Sequence, residues 1–215
     1  SGTSNIGADV TTSSTQTYTG AVTLSADVNL TGSTITTNNT VAGGTNDLTV
    51  TGNVVFGNST TDTVTGVAVL DITGNTTINT DTITTSSTQT YGDATSDTIT
   101  IGTATTLTTT NSQITFSGTV DSENSETNSL TLDAGTSEVQ FDAETGGTVG
   151  LGAIGITGAL DLDADITNAS SLSVSTTSNL GADVTTSGTQ TYTGAVTLSA
   201  NNTLTTTSNG NVSFG

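Results

Sequence analysis

The sequence predicts an all-β chain built as a parallel β-solenoid, and three observations carry that expectation. Apolar residues alternate with polar ones at a period of two along most of its length. One 24-residue segment is repeated almost unchanged 174 residues further on. Thr is the commonest residue, about a quarter of the chain, and Pro is absent. No stretch carries the 3.6-residue periodicity of an amphipathic helix, and Lys, Arg and Met are missing.

The strands follow in chain order. In Tyr18–Leu30 the even positions are Tyr18, Gly20, Val22, Leu24, Ala26, Val28 and Leu30, small or apolar throughout. Side chains on a strand alternate faces, so this pattern reads as one buried and one wet face. It recurs at Leu48, Val50, Gly52, Val54 and Phe56, and again at Leu160, Leu162, Ala164 and Ile166. Shorter pairs follow the same rule: Ile99/Ile101, Leu130/Leu132, Val139/Phe141, Ile154/Ile156, Leu172/Val174 and Val212/Phe214.

Residues 3–26 read TSNIGADVTTSSTQTYTGAVTLSA and residues 177–200 read TSNLGADVTTSGTQTYTGAVTLSA. They differ only at Ile6/Leu180 and Ser14/Gly188. A third partial copy, TTSSTQTY, lies at Thr84–Tyr91. Near-identity over this length marks a super-repeat of about 174 residues within one continuous solenoid over 1–215. At about 20 residues per coil the chain makes roughly ten coils and a rod near 50 Å long. The 73- and 101-residue offsets between the TQTY copies share no simple divisor, so they leave the coil length open. Like residues are expected to stack: Val, Leu and Ile inside, Thr and Asn ladders outside, Gly where corners need positive φ. No atypical terminal segment reads as a cap, and the chain opens on Ser. The expectation is a processed product or a window of a longer fibre.

The segments TSNIGADVTTSSTQTYTGAVTLSA and LTVTGNVVFGN resemble filamentous-haemagglutinin-type surface proteins and the giant repetitive bacterial adhesins. The resemblance spans nearly the whole chain in style and rests on composition. It implies a right-handed parallel β-helix, secretion, an extracellular or cell-surface location, and a role as surface fibre or adhesin. The chain departs from that pattern in lacking Lys and Arg altogether.

That lack bounds the chemistry. The charged residues are all Asp or Glu, 19 of them, for a net charge of −19. Nucleic-acid partners are not expected without basic residues, nor is membrane insertion from such short apolar runs. Without His or Cys the usual transition-metal sites and nucleophilic triads or dyads have no ligands or bases. An enzyme is not expected. Asn79-Thr80-Asp81 matches a short motif of pectin-cleaving β-helix hydrolases, but the adjacent Asp pair, the His and the basic residue those enzymes need are missing.

Asp161, Asp163 and Asp165 are the densest acidic cluster. They read either as a solvated outer face or as Ca²⁺ ligands helped by a neighbouring coil. The EF-hand pattern fails, because Ile166 and Leu172 stand where Gly and Glu are required. No other cofactor is expected. Gly43-Gly44-Thr45-Asn46-Asp47-Leu48 resembles a damaged Ca²⁺-binding β-roll nonapeptide and reads better as a turn entering a strand. Thr-x-Thr triplets such as Thr82-Ile83-Thr84 and Thr98-Ile99-Thr100 look too scattered for a regular surface ladder. Asn-x-Ser/Thr sequences, for example at Asn29, Asn75 and Asn201, are acceptors for glycans if the chain is secreted. Tyr18, Tyr91 and Tyr192 read either as stacked surface aromatics that bind sugars or, better, as packing positions, since each falls in phase with the inward residues.

The functional expectation is a structural extracellular fibre, sheath or adhesin stalk whose principal partner is itself. The alternative is a Ca²⁺-dependent adhesin module that recognises surface glycans, with divalent cations as further partners.

Overall fold

A computed structural model describes residues 2–215. It is all-β: 25 strands form one continuous sheet, wound as a parallel solenoid of about 11 turns. Among the described residues every strand pairing is parallel.

The coil has three faces. The first begins with Ser4–Ile6, the second with Val10–Thr11 and the third with Gln16–Tyr18. Val22–Leu24 then returns to the first face and pairs with Ser4–Ile6. Five longer strands, among them Val28–Thr37 and Leu130–Phe141, run around a corner and serve two faces each. Register shifts between Thr31 and Thr34, and between Asp133 and Glu138, mark where these strands turn.

The period-2 alternation read in Tyr18–Leu30 therefore does not belong to one strand. It spans the ends of three, because the chain breaks at Gly20 and again near Ser25–Asp27 while keeping its phase. The same holds for Leu160–Ile166, which crosses a corner at Asp163–Asp165.

Coil length varies. Ser4 pairs with Val22, 18 residues on, whereas Leu107 pairs with Leu132, 25 residues on. Corner loops absorb the difference, so strands stay in register. Two of them share a design. In Gly57–Asp62 and Gly92–Asp97 the glycine takes positive φ, and the Asp carboxylate accepts the N–H of the residue after it (Asn58, 3.0 Å; Asp93, 3.0 Å). The same carboxylate closes each loop at its far end, four residues from the amide it accepts, much as an Asx turn does.

The core follows from stacking. On the first face one inward column runs Val22, Val41, Val64, Ile83, Leu107, Leu132, Ile156, Val174, Tyr192, Phe214. On the second face Tyr91, Phe116 and Phe141 stack with centroids 5.3 and 5.0 Å apart and planes within 14°. In-register parallel pairing places each ring about 4.8 Å above the last, which favours offset stacking.

A few polar side chains interrupt the columns. Thr145 lies between Val120 and Ile166 and is fully buried, and its Oγ1 has no hydrogen-bond partner. Thr76 is in the same position between Val54 and Ile99. A buried hydroxyl without a partner costs its desolvation, so Thr145→Val and Thr76→Val should each stabilise the chain by about 1 kcal/mol. Urea unfolding of the two variants checks this, and a loss of stability in both would contradict it.

The super-repeat is now explained. The three Gln-x-Tyr copies lie on three different faces: Gln16 on the third, Gln89 on the second, Gln190 on the first. Counting faces along the chain, Ser4–Ile6 is on the first face and its copy Ser178–Leu180 is on the second face eight turns later. The repeat is thus a whole number of faces and not of coils, which is why its offsets yield no single coil length.

Candidate functional site

Three features of the surface and core bear on function: the acidic corners, the threonine columns and the Gln-Tyr corners.

Several acidic side chains sit at corners and tie one coil to the next. Asp27 Oδ1 accepts the N–H of Asp47 (2.9 Å), and Asp47 Oδ1 accepts that of Val69 (3.0 Å). Asp165 Oδ1 accepts the N–H of Asp183 (2.9 Å), and Asp183 Oδ1 accepts that of Thr203 (2.7 Å). Asn53 and Asn75 form an equivalent neutral ladder onto Asn75 and Thr98. A short acceptor side chain pairs with an N–H that the sheet ladder leaves free at the bend.

The sequence-derived triad divides among different environments. Asp161 is half-buried on a strand and accepts a hydrogen bond from Asn179 Nδ2 (2.9 Å). Asp163 is an exposed corner residue whose N–H bonds to the Phe141 carbonyl (3.0 Å). Asp165 belongs to the corner ladder above. An open groove beside them is lined by Glu144, Asp163, Asp165, Asp183 and Asn201. Among the described residues no group of three Asp or Glu side chains has the geometry to hold a metal ion.

Asp142, one coil below, has its carboxyl pushed above the ordinary carboxylate range. Burial is the main cause, followed by repulsion from Asp163, with a smaller repulsion from Asp161; a hydrogen bond with Gln140 opposes them. Because the folded value is raised, ionising Asp142 works against the fold. The penalty is absent below the ordinary carboxylate range and fully present above the raised value. Asp142→Asn should therefore stabilise the chain at neutral pH by a few tenths of a kcal/mol, with the gain vanishing below about pH 3–4. Thermal melts of both chains across this range provide the check.

The threonines are more ordered than the sequence suggests. Thr63, Thr82, Thr106 and Thr131 form an in-register outward column on the first face, and Thr84 stacks on Thr108 beside it. The triplets themselves stay apart, Thr82–Thr84 on the first face and Thr98–Thr100 on the third, but because corners take up unequal coil lengths, single threonines at uneven spacing align in this column. Gly43–Leu48 forms the expected turn entering a strand, with Gly44 and Thr45 at positive φ.

The Gln of TQTY is the feature that sequence reasoning missed. Tyr91 and Tyr192 are fully buried, as their phase implies. Each phenol donates to the Gln two residues before it: Tyr91 to Gln89 Oε1 (2.9 Å), Tyr192 to Gln190 Oε1 (3.2 Å), Tyr18 to Gln16 Oε1 (2.9 Å). Each Gln amide donates to a carbonyl of the next coil: Thr108 (2.9 Å), Thr205 (2.8 Å) and Thr31 (2.8 Å). Thr12, Thr85 and Thr186 close the corner by donating to the carbonyl two residues on. Buried polar groups are stable when every member is paired. The motif is a self-satisfied polar corner, and burial pushes the Tyr91 and Tyr192 phenols upward. The signal was present: Gln recurs in all three copies at inward phase.

No protein-family model matches the chain, and no curated protein or solved structure shows detectable similarity to it.

Proposed function

We propose that the chain is a rod segment of an extracellular structural fibre, sheath or adhesin stalk. The observation that supports this most is the single parallel sheet of 25 strands, whose apolar columns run from one end of the rod to the other. In such a stack each coil contacts only its neighbours, so stiffness and stability grow by addition of coils. The composition is consistent with exposure outside a cell. Without Lys or Arg the chain has no trypsin-type cleavage site, and without Cys or Met it lacks the most readily oxidised side chains. A net charge of −19 keeps neighbouring rods apart at low ionic strength.

The test is negative-stain electron microscopy of the native material in EDTA. The expected result is thin, unbranched filaments far longer than the ~50 Å of one chain. Shapeless particles, or filaments that dissolve on removal of divalent cations, would overturn this reading.

The threonine columns favour a second reading, an adhesin face that binds surface glycans. Calorimetry with and without Ca²⁺ tests it, and Thr82→Val/Thr106→Val should abolish any heat of binding that the native chain shows.

A further inference from the structure

One turn of the coil lacks a strand on its third face. Leu130–Phe141 and Leu151–Leu162, the two longest strands among the described residues, each serve the first and second faces and pair with each other over both. The segment 142–150 between them supplies the third face of that turn. There the pairing shrinks to one residue, Thr145, bridged to Val120 below and Ile166 above. Every other full turn among the described residues has a strand at this place.

Few bonds hold the segment. The Thr145 N–H donates to the Asp165 carbonyl (2.9 Å), and the Thr145 carbonyl accepts the Thr167 N–H (2.9 Å). On the other side Val120 donates to the Glu144 carbonyl (3.1 Å), Gly146 to the Val120 carbonyl (2.8 Å) and Ser122 to the Val149 carbonyl (3.2 Å). Asp121 Oδ1 clasps the far end by accepting the N–H of Thr148 (2.9 Å) and of Val149 (3.0 Å). The side chain at the bridge adds nothing to these, since Thr145 Oγ1 has no partner. Gly146, at φ of 75°, and Gly147 follow it, so the backbone has much freedom to regain on release.

Charge opposes these bonds. Pairing of Phe141 with Leu162, of Thr145 with Ile166 and of Ile166 with Val184 stacks Asp142 beside Asp163, and Glu144 beside Asp165 and then Asp183. Each step is one coil, ~4.8 Å of backbone. Asp161 stands next to this group, and Asp121 and Glu123 lie beside Thr148 and Val149 at the other end. With no Lys, Arg or His in the chain, no side chain offsets any of them.

We propose that Asp142–Val149 is a salt-gated seam in the rod. At low ionic strength it lifts off both neighbouring coils as a unit, while the long strands that flank it keep the rest of the turn wound. Screening of the stacked carboxylates closes it. The seam combines the features of a low-stability unit: little strand pairing, an unpaired buried hydroxyl and exposed like charges.

Neighbouring amides on the same strands face opposite ways, which supplies an internal control. Val120 and Ser122 donate to the segment, whereas Thr119 donates to the Asp97 carbonyl on the other side. Thr167 donates to Thr145, whereas Ile166 donates to the Asp183 carbonyl. The test is NMR-resolved amide hydrogen exchange of the whole chain in ~10 mM and in ~500 mM NaCl. In low salt Val120, Ser122, Thr145 and Thr167 should share one protection factor, at least about tenfold below those of Thr119 and Ile166. High salt should raise that shared value about tenfold and leave the two controls unchanged. Glu144→Gln/Asp163→Asn, at two exposed positions, should reach the high-salt protection already in low salt. Thr145→Val should raise protection of the four at both salt concentrations and keep the salt dependence. Protection of the four amides equal to that of Thr119 and Ile166 would overturn the seam. Low protection that ignores both salt and the double substitution would overturn its gating by charge.

Discussion

Phe116→Ala should destabilise the chain by about 3–5 kcal/mol. Phe116 is the middle ring of the buried stack, 5.3 Å from Tyr91 and 5.0 Å from Phe141, and is 0% exposed. Cavity costs are largest where the surroundings cannot collapse. Here they cannot, because the backbone ladders fix the coil-to-coil distance on all three faces. Tyr91 would also lose one wall of the pocket that shields its hydrogen bond to Gln89. Because a stacked-coil protein opens in segments, the effect should be sharpest in the exchange of amides between residues 89 and 141. Amide hydrogen exchange with urea unfolding measures both. A loss below about 1 kcal/mol would show that the interior tolerates a void at this level.

Gly52→Ala should cost about 3 kcal/mol or more. Gly52 has φ of 127°, and a Cβ added there would stand 1.9 Å from the Gly32 carbonyl oxygen of the coil before it. The obstacle is backbone, so no rotamer change relieves it. Gly74 of the next coil also packs tightly, with its own Cβ position 2.8 Å from the Gly52 carbonyl. These glycines form a corner column in which one coil's backbone rests on another's. Gly155→Ala is the internal control: nothing lies within 4 Å of its Cβ position, and that change should be nearly neutral. Equal losses from both substitutions would show that lost flexibility, not coil contact, governs these sites.

Much of this architecture is legible in the sequence because a solenoid is written locally. The alternation at Leu48–Phe56 and Leu160–Ile166 gives the inward residues directly, and the repeat at 177–200 marks the chain as a repetitive array without setting its coil length. What is hidden is how corners divide the chain. Alternation continues in phase through Asp163–Asp165, so nothing in the hydrophobic pattern marks that bend. Insertions such as Gly92–Asp97 lengthen a coil without moving the strands, so sequence spacing and spatial register part company. The threonine column at Thr63, Thr82 and Thr106 was invisible for the same reason.

The acidic residues show the other limit. The spacing of Asp161, Asp163 and Asp165 suggests one strand face, yet a corner separates the first from the last. Asp165 then accepts a backbone N–H from the coil above it. Gln89 was overlooked because a Gln at an inward position has no apolar signature, and its value lies in partners set by three dimensions: Tyr91, Thr85 and the Thr108 carbonyl.

The most direct test of the stacked-coil rod is X-ray diffraction from an aligned film of the chain, in which the rods lie side by side. Coils stacked along the rod axis predict a sharp axial reflection near 4.8 Å, without the strong ~10 Å equatorial reflection that separate packed sheets produce. Strands running along the axis, with the ~4.8 Å spacing on the equator, would contradict the account outright.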